Sequence, residues 1–107
     1  MVTGFDQLLV NEYAPGQGIA KHVDAPHLFR DGIASLTLGS GTIVRFEEVA
    51  SPTNRVEWYA ARRSVFLLTG PARYEWRHEI PKRKVDGVWG ARGRRVSLTF
   101  RRVILRR

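Results

Sequence analysis

The feature that most constrains the fold is a series of short apolar runs separated by turn residues. No segment places apolar residues at i, i+3, i+4 and i+7 over three turns, as an amphipathic helix requires. Each run instead ends at a break rich in Gly, Pro, Ser or Asn, which is typical of strands joined by turns. The eight predicted strands are 8–13, 19–24, 32–39, 42–49, 55–60, 64–69, 72–80 and 94–105. This pattern predicts an all-β sandwich or jelly roll with little helix.

One of these runs differs in composition from the others. Residues 64–69 are almost continuously apolar, which is typical of a strand buried on both faces. We therefore expect this strand in the interior of the fold.

Length and composition narrow the class of protein. The 107 residues predict one domain, and no apolar run approaches the roughly 20 residues of a membrane-spanning helix. The first residues lack the pattern of an export signal, so we expect an intracellular protein, cytoplasmic or, in a eukaryote, nuclear. The chain contains no cysteine, which excludes disulfides and thiolate metal sites. A bound metal would need nitrogen and oxygen ligands.

The positive charge is concentrated in the last third of the chain. Residues 73–107 carry 12 Lys and Arg against 3 Asp and Glu, whereas residues 1–72 carry 6 against 7. A polyanion such as nucleic acid is one partner for such a surface, because each phosphate contact releases counterions. A solvated basic face and a solvated basic tail are the alternatives.

A candidate metal site lies at the end of the second predicted strand. His22 and Asp24 are two residues apart, so a strand would project both to the same face. A third ligand from His78 would give two imidazoles and one carboxylate, the facial set that suits non-haem Fe(II) and O₂ chemistry. Against this, an H-x-D triplet also occurs by chance, and a lone histidine is usually a polar or core residue.

The last predicted strand alternates polar and apolar side chains. Its polar face carries Arg95, Ser97, Thr99 and Arg101, and its apolar face carries Val96, Leu98 and Phe100. If the polar face points into the fold, its two guanidinium groups need anions, and a dicarboxylate would provide them. The alternative is an edge strand with a solvated polar face.

Two further polar or aromatic rows follow from the same period of two. Asn11 and Tyr13 share a face, and both side chains can hydrogen-bond a carboxylate. Tyr74, Trp76 and His78 share a face in the predicted strand 72–80, so aromatic rings would flank the distal histidine. Such an aromatic row is also compatible with a simple core position.

Four segments in this order resemble the AlkB family of Fe(II)/2-oxoglutarate dioxygenases. They are NEYAPGQGIAKHVD at 11–24, SLTLGS at 35–40, RYEWRH at 73–78 and RVSLTFR at 95–101, and together they extend over nearly the whole chain. The PGQGI and SLTLGS segments are most similar to the tRNA-modifying and related nucleic-acid branch of the family.

The resemblance implies a double-stranded β-helix that uses Fe(II), 2-oxoglutarate and O₂. It assigns Fe(II) to His22, Asp24 and His78, and the distal carboxylate of 2-oxoglutarate to Arg95 with Tyr13. Arg101 and Asn11 would hold the chelating end of the co-substrate, and Ser97 stands where the family commonly has Asn.

The resemblance also implies a reaction and a substrate. The family converts 2-oxoglutarate to succinate and CO₂, and on an N-alkylated base of RNA or DNA it releases formaldehyde. Tyr74 and Trp76 would line the substrate side, and a basic surface of Lys82, Arg83 and Lys84 with Arg92 and Arg94 would contact phosphates. Only ten residues precede Asn11, so we expect the N-terminal recognition lid to be largely absent. A protein or small-molecule hydroxylase and a non-catalytic metal-binding jelly roll are the alternatives.

Overall fold

Eight strands and two short helical turns form the fold, as a computed structural model describes it for residues 4–105. The strands are β1 Gln7–Tyr13, β2 Ile19–His22, β3 Ile33–Gly39, β4 Thr42–Glu48, β5 Arg55–Ala60, β6 Val65–Leu68, β7 Trp76–Ile80 and β8 Arg95–Arg101. A single helical turn, α1, covers Pro71–Tyr74, and a 3₁₀ turn covers Gly87–Trp89. The prediction of about eight strands with little helix is confirmed.

The strands form two four-stranded antiparallel sheets. The first sheet has the order β1-β8-β3-β6 and the second the order β2-β7-β4-β5. The chain crosses between the sheets at almost every connection, and β4 and β5 are the sequence neighbours that pair as a hairpin. This arrangement is the jelly roll expected from the sequence, here a double-stranded β-helix. Side chains from distant parts of the chain therefore meet between the sheets.

The first sheet turns its polar face inward. Its central strand β8 lies between β1 and β3, and Arg95 and Ser97 are 5% and 4% exposed. The alternative of a solvated edge strand is therefore wrong for β8. The apolar partners on the opposite face, such as Val10 and Leu98, pair across the strands on the outside of the sheet. The interior on this side is consequently polar.

The inner face of the second sheet supplies much of the apolar core. Tyr13 of β1 packs there with Val44, Ala60 and Ile80, and the partly buried side chains Ile19, Phe46 and Phe66 surround this cluster. The outer face of the second sheet is charged, since Glu47 binds Lys21, Arg55 and Arg77 at 2.8 to 3.4 Å.

Three predicted elements differ from the structure. The strand predicted over 72–80 begins at Trp76, because Gly70 and Pro71 start a helical turn with proline at one of its first two positions. The last strand ends at Arg101 and not at residue 105. The second strand ends at His22, so Asp24 lies beyond it in a loop.

The expectation that residues 64–69 are buried on both faces is also wrong. Val65 and Leu67 are 61% and 52% exposed, because β6 is an edge strand and its outer face meets solvent. Only the alternate residues Phe66 and Leu68 point toward the interior of the fold.

Candidate metal centre and adjoining pocket

The structure brings His22, Asp24 and His78 together between the two sheets. Each residue offers one ligand atom, and the three atoms lie within 4.8 Å of one another. Nε2 of His22 lies 3.3 Å from Oδ1 of Asp24, and Nε2 of His78 lies 3.7 Å from the same oxygen. The three side chains that we predicted from the sequence as metal ligands therefore form one cluster.

Strand register places the two histidines, whereas Asp24 is held by other contacts. His22 and His78 are direct partners in the β2–β7 ladder, and their ring centroids are 4.3 Å apart. The PGQGI segment allows this pairing, because a Cβ at Gly18 would collide with the carbonyl oxygen of Ile80. Asp24 follows the end of β2 by two residues, and its Oδ2 accepts a hydrogen bond of 3.1 Å from Nη1 of Arg101.

The hydrogen bonds of His22 leave its metal-facing nitrogen available. Its Nδ1 lies 2.9 Å from the carbonyl oxygen of Ala20, which can only accept, so the proton resides on Nδ1. In the neutral ring the lone pair of Nε2 is then available to a metal, which would replace the contact of Nε2 with Asp24. This is the usual arrangement of a histidine ligand.

The protonation states of Asp24 and His78 suit a metal, whereas His22 binds a proton more readily than a free histidine. The hydrogen bond with Asp24 raises the pKa of His22 above its ordinary value, whereas burial lowers the pKa of His78 to about 4. Burial alone would raise the pKa of Asp24, but the hydrogen bond from His22 and the charges of His78 and Arg101 hold it at about 2. At neutral pH the cluster therefore offers a carboxylate and a neutral His78.

Spacing and donor chemistry both fit a six-coordinate divalent cation. Neighbouring ligands around an ion with bonds of about 2.1 Å lie roughly 3 Å apart, close to the 3.3 and 3.7 Å that separate the histidine nitrogens from the Asp24 oxygen. Two imidazoles with one carboxylate form the facial set found in non-haem Fe(II) oxygenases.

A cavity of about 110 Å³ adjoins the metal ligands, and Arg95 lies among its lining residues. Nη2 of Arg95 donates a hydrogen bond of 3.0 Å to Oγ1 of Thr37, and its guanidinium carbon lies 5.3 Å from the centre of the Tyr13 ring. Within residues 4–105, its Nε has no hydrogen-bond partner and no carboxylate pairs with it. Burial lowers the pKa of Arg95. A buried cation with an unused donor fits a ligand carboxylate.

Arg101 lines the same cavity and is fixed by three groups. Besides its bond to Asp24, Nε donates to Oε1 of Gln7 at 2.8 Å, and the guanidinium carbon lies 4.0 Å from the centre of the Phe29 ring. Arg101 thus links the cavity to the metal ligand Asp24.

The predicted co-substrate residues all line this cavity, whereas the predicted substrate residues do not. Asn11, Tyr13, Arg95, Ser97 and Arg101 are among the lining residues. Sequence reasoning missed Thr37, Gln7 and Phe29 as partners of the arginines. Gln7 could have been predicted to lie near the site, because the period of two in β1 puts it on the same face as Asn11.

Trp76 borders a second, mostly apolar groove. This groove of about 280 Å³ lies beside the edge strands β5 and β6, and Trp58, Trp76 and Phe46 are among its lining residues. Phe66 and Leu68 line both the groove and the metal cavity, so the two are neighbours.

Tyr74 does not share a face with Trp76, which corrects the expected aromatic row. Tyr74 lies in the helical turn α1, where the period of two does not apply, and it is exposed. It borders neither the metal cavity nor the apolar groove.

The basic residues after β7 are placed apart from the metal cavity. Lys82, Arg83 and Lys84 line a surface groove with the turn at 14–17. Lys82 follows His78 by four residues, which is roughly 13 Å of extended chain. Nε of Arg83 lies 2.9 Å from Oδ1 of Asp86 and forms an ion pair with it.

Two residues expected on this basic surface have other partners. Arg92 is buried and makes two hydrogen bonds to the buried Asp86, at 2.7 and 2.8 Å, so it cannot face a phosphate. Arg94 is exposed but pairs with Glu12 at 2.7 Å. The expectation of a phosphate contact is therefore wrong for Arg92, and Lys82 and Lys84 are the more exposed cations of this loop.

Taken together, the double-stranded β-helix and its histidine and carboxylate cluster define the class of non-haem iron oxygenases. The family model described as the 2OG-Fe(II) oxygenase superfamily matches residues 3–101. The chain belongs to this superfamily and is AlkB-like within it. Its enzymes use Fe(II), 2-oxoglutarate and O₂, and the donor set described above fits the iron.

Curated relatives cover most of this chain. An uncharacterized protein of Acanthamoeba polyphaga mimivirus is 41% identical over 102 residues, covering 92% of this chain and 49% of that protein. The tRNA (carboxymethyluridine(34)-5-O)-methyltransferase ALKBH8 of Mus musculus is 38% identical over 117 residues, covering 92% of this chain and 17% of the relative. The alkylated DNA repair protein ALKBH8 homolog of Arabidopsis thaliana is 36% identical over 118 residues, covering 92% and 34%.

The chain thus spans half or less of the length of each of these relatives. In the described part of the chain, neither helical turn has the length or apolarity of a membrane-crossing helix.

Proposed function

We propose that the protein catalyses oxidative removal of alkyl groups from N-alkylated bases of RNA or DNA. The observation that carries the reaction class is the pairing of the metal cluster with the buried, unpaired donor of Arg95 in one cavity. The names of two relatives support a nucleic-acid substrate, since one is a tRNA methyltransferase and the other an alkylated DNA repair protein homolog. The second name also supports an alkylated substrate.

His22, Asp24 and His78 would hold Fe(II), and the residues of β1 and β8 would hold 2-oxoglutarate. In this proposal Arg95 pairs with the distal carboxylate, and Tyr13 packs beside it. Asn11, Ser97 and Arg101 line the path between Arg95 and the metal ligands. When bound, Fe(II) and 2-oxoglutarate react with O₂ to give succinate, CO₂ and a hydroxylated C–H bond of the substrate.

The overall reaction depends on which group of the substrate is hydroxylated. A methyl group on a base nitrogen becomes a hydroxymethyl group, and the C–N bond then breaks to release formaldehyde and the unmodified N–H. The chain contributes binding, orientation and exclusion of water, because the cavity lies between the sheets.

The groove lined by Trp58 and Trp76 is the proposed approach for the base. It shares Phe66 and Leu68 with the lining of the metal cavity, and the ring centroids of Phe46 and His78 are 6.0 Å apart. Flat bases stack on such aromatic side chains once they are unpaired. Tyr74, which is exposed at the surface, and the cations Lys82, Arg83 and Lys84 are proposed as outer contacts to the nucleic acid.

The test measures succinate and formaldehyde from oligonucleotides that carry N-methylated bases. Wild-type protein with Fe(II), ascorbate and 2-oxoglutarate is expected to release formaldehyde together with an equal amount of succinate above the substrate-free level. His22→Ala is expected to release neither product. Succinate without formaldehyde across methylated RNA and DNA would retain the oxygenase and overturn the nucleic-acid substrate. If no succinate formed in any condition, the proposal that this chain is catalytically active would be wrong.

A further inference from the structure

Asp24 is the one member of the metal cluster that strand pairing does not place. His22 and His78 are locked to each other by the β2–β7 register, but β2 ends at His22 and residues 24–31 contain no strand. A carboxylate in such a segment needs another support if it is to stay within bonding distance of a metal.

Arg101 binds the carboxylate itself, and the guanidinium of Arg73 supports the backbone of the segment. Arg73 lies in α1, is 2% exposed and directs its three nitrogens at one short segment of backbone. Nη1 donates to the carbonyl oxygen of Asp24 at 2.6 Å, Nη2 to that of Phe29 at 3.1 Å, and Nε to that of Arg30 at 3.4 Å.

These contacts hold the backbone of the metal-binding segment. Among residues 4–105 no carboxylate pairs with Arg73. Its buried charge is stabilised by these carbonyl dipoles and by the Tyr74 ring, whose centroid lies 4.7 Å from the guanidinium carbon. The loop is also tied to residues 102–104 through an isolated bridge of Phe29 with Val103, but within residues 4–105 no other hydrogen bond reaches the carbonyl oxygens of Asp24, Phe29 and Arg30. Release of Arg73 would therefore leave these partly buried carbonyl groups without a protein donor. The shortest of the three bonds ends on Asp24 itself.

A second contact ties the same segment to the same helical turn. The carboxylate of Asp31 accepts hydrogen bonds from the backbone N–H of Gly70 at 3.1 and 3.3 Å, immediately before α1. The segment is thus fixed at both ends to the turn that leads into β7 and His78. The turn therefore couples the position of the carboxylate to that of the second histidine.

We propose that Arg73 is a positioning residue that holds Asp24 in its metal-binding place. The proposal rests on the ligand set of the proposed function and not on its substrate. Arg73 itself touches neither the metal ligands' donor atoms nor the cavity, and it acts through the backbone of residues 24–30.

The test measures Mn(II) binding to metal-free protein by calorimetry, which requires no substrate and no turnover. Loss of an outer partner of a metal ligand typically weakens affinity by about 10 to 100-fold. We expect Arg73→Met to weaken Mn(II) binding by at least roughly tenfold, and Arg73→Lys, which keeps a donor for one carbonyl, to weaken it less. The control Arg45→Met removes ion pairs on the outer sheet face and should leave the affinity unchanged.

A purely structural role gives a different result. If Arg73 only stabilises the fold, its variants melt at lower temperature but retain the full rise in melting temperature on adding Mn(II). If it positions Asp24, that rise shrinks, because weaker binding stabilises the native state less. Should Arg73→Met fail to fold, Arg73→Lys and Asp31→Asn report through the same rise.

Asp24→Ala separates the two ways in which the proposal can fail. If Asp24→Ala weakens Mn(II) binding and the Arg73 variants bind within twofold of wild type, the positioning role is wrong. If Asp24→Ala also binds normally, the ligand set itself is wrong, and the proposal is overturned with it.

Discussion

The guanidinium of Arg95 lies over the ring of Tyr13, with 5.3 Å between its central carbon and the ring centroid. The ring covers the cation, Thr37 accepts one of its hydrogen bonds, and Nε keeps an unused donor. A charge buried in this way is unfavourable until an anion matches it. The pair therefore forms a preorganised place for a carboxylate.

Replacing Arg95 should weaken 2-oxoglutarate binding. A hydrogen bond to a charged group contributes about 1.5 to 3 kcal/mol, which corresponds to roughly 10 to 150-fold in affinity. We expect a loss in this range for Arg95→Met in calorimetric titrations of the Mn(II)-loaded protein. The matched control is Arg94→Met, whose exposed side chain pairs with Glu12. Equal affinities in Arg95→Met and wild type would remove Arg95 from the co-substrate site.

The same substitution should have the opposite effect on the ligand-free protein. Arg95→Met removes an unmatched buried charge, so its melting temperature should equal or exceed that of wild type, and about 1 kcal/mol corresponds to about 4 to 8 °C in a domain of this size. Addition of 2-oxoglutarate and Mn(II) should reverse the order. A ligand-free variant that melts well below wild type would mean that Arg95 is needed for the fold itself.

Metal affinity should fall with decreasing pH through His22. Its pKa is raised above 6.5 by the hydrogen bond with Asp24, whereas the pKa of His78 is lowered to about 4 by burial. As the pH falls, His22 is protonated first, and His78 stays neutral until about pH 4. Since each metal ion displaces the proton on its ligand, we expect the Mn(II) affinity to fall about tenfold per pH unit between pH 6 and 5. A hundredfold fall per unit, measured by calorimetry, would show that both histidines titrate there.

Truncation of Trp76 should separate substrate use from co-substrate use. Trp76→Ala opens the groove without touching the lining of the metal cavity, so formaldehyde release should fall while substrate-free succinate production persists. Base stacking on an aromatic ring contributes about 1 to 3 kcal/mol, so the loss in kcat/KM should be about 5 to 150-fold. Trp89→Ala is the matched control, because Trp89 stacks on Tyr59 away from the groove. Equal losses in both variants would contradict the assignment.

Charge reversal in the loop after β7 should weaken oligonucleotide binding in a salt-dependent way. Lys82 and Lys84 are exposed, and the double variant Lys82→Glu, Lys84→Glu should bind single strands more weakly. Each lost phosphate contact should reduce the slope of log affinity against log salt by about 0.7. Arg62→Glu in the β5–β6 turn is the exposed control, and an identical slope in all three proteins would exclude a phosphate contact at this loop.

Much of the fold and part of the candidate metal cluster could be predicted, because they follow from the alternation of side chains along strands. The period of two in β8 selects Arg95 and Arg101 for one face, and the turn signals mark the ends of most strands. The alternation of side chains cannot predict the positions of residues that lie beyond the end of a strand. Asp24 lies beyond β2, so the period of two does not explain its position, although the predicted proximity to His22 is observed. Tyr74 lies in a helical turn, so the same argument wrongly placed it on one face with Trp76.

The sequence also did not predict which charged side chains form buried ion pairs. Nothing local in the sequence distinguishes Arg92, which is buried against Asp86, from the exposed Arg94 two positions later. Both appear as loop cations, and only the path of the loop over β4, where the backbone N–H of Ile43 donates to the Asp86 carboxylate, decides which of them is buried.

The direct pairing of His22 with His78 has a consequence for how the native state is selected. A slip of β2 by one residue along β7 would turn one imidazole to the opposite side of the sheet, so a misaligned strand pair could not chelate a metal. Divalent cation present during refolding would therefore act as a template that discriminates between correct and shifted pairings.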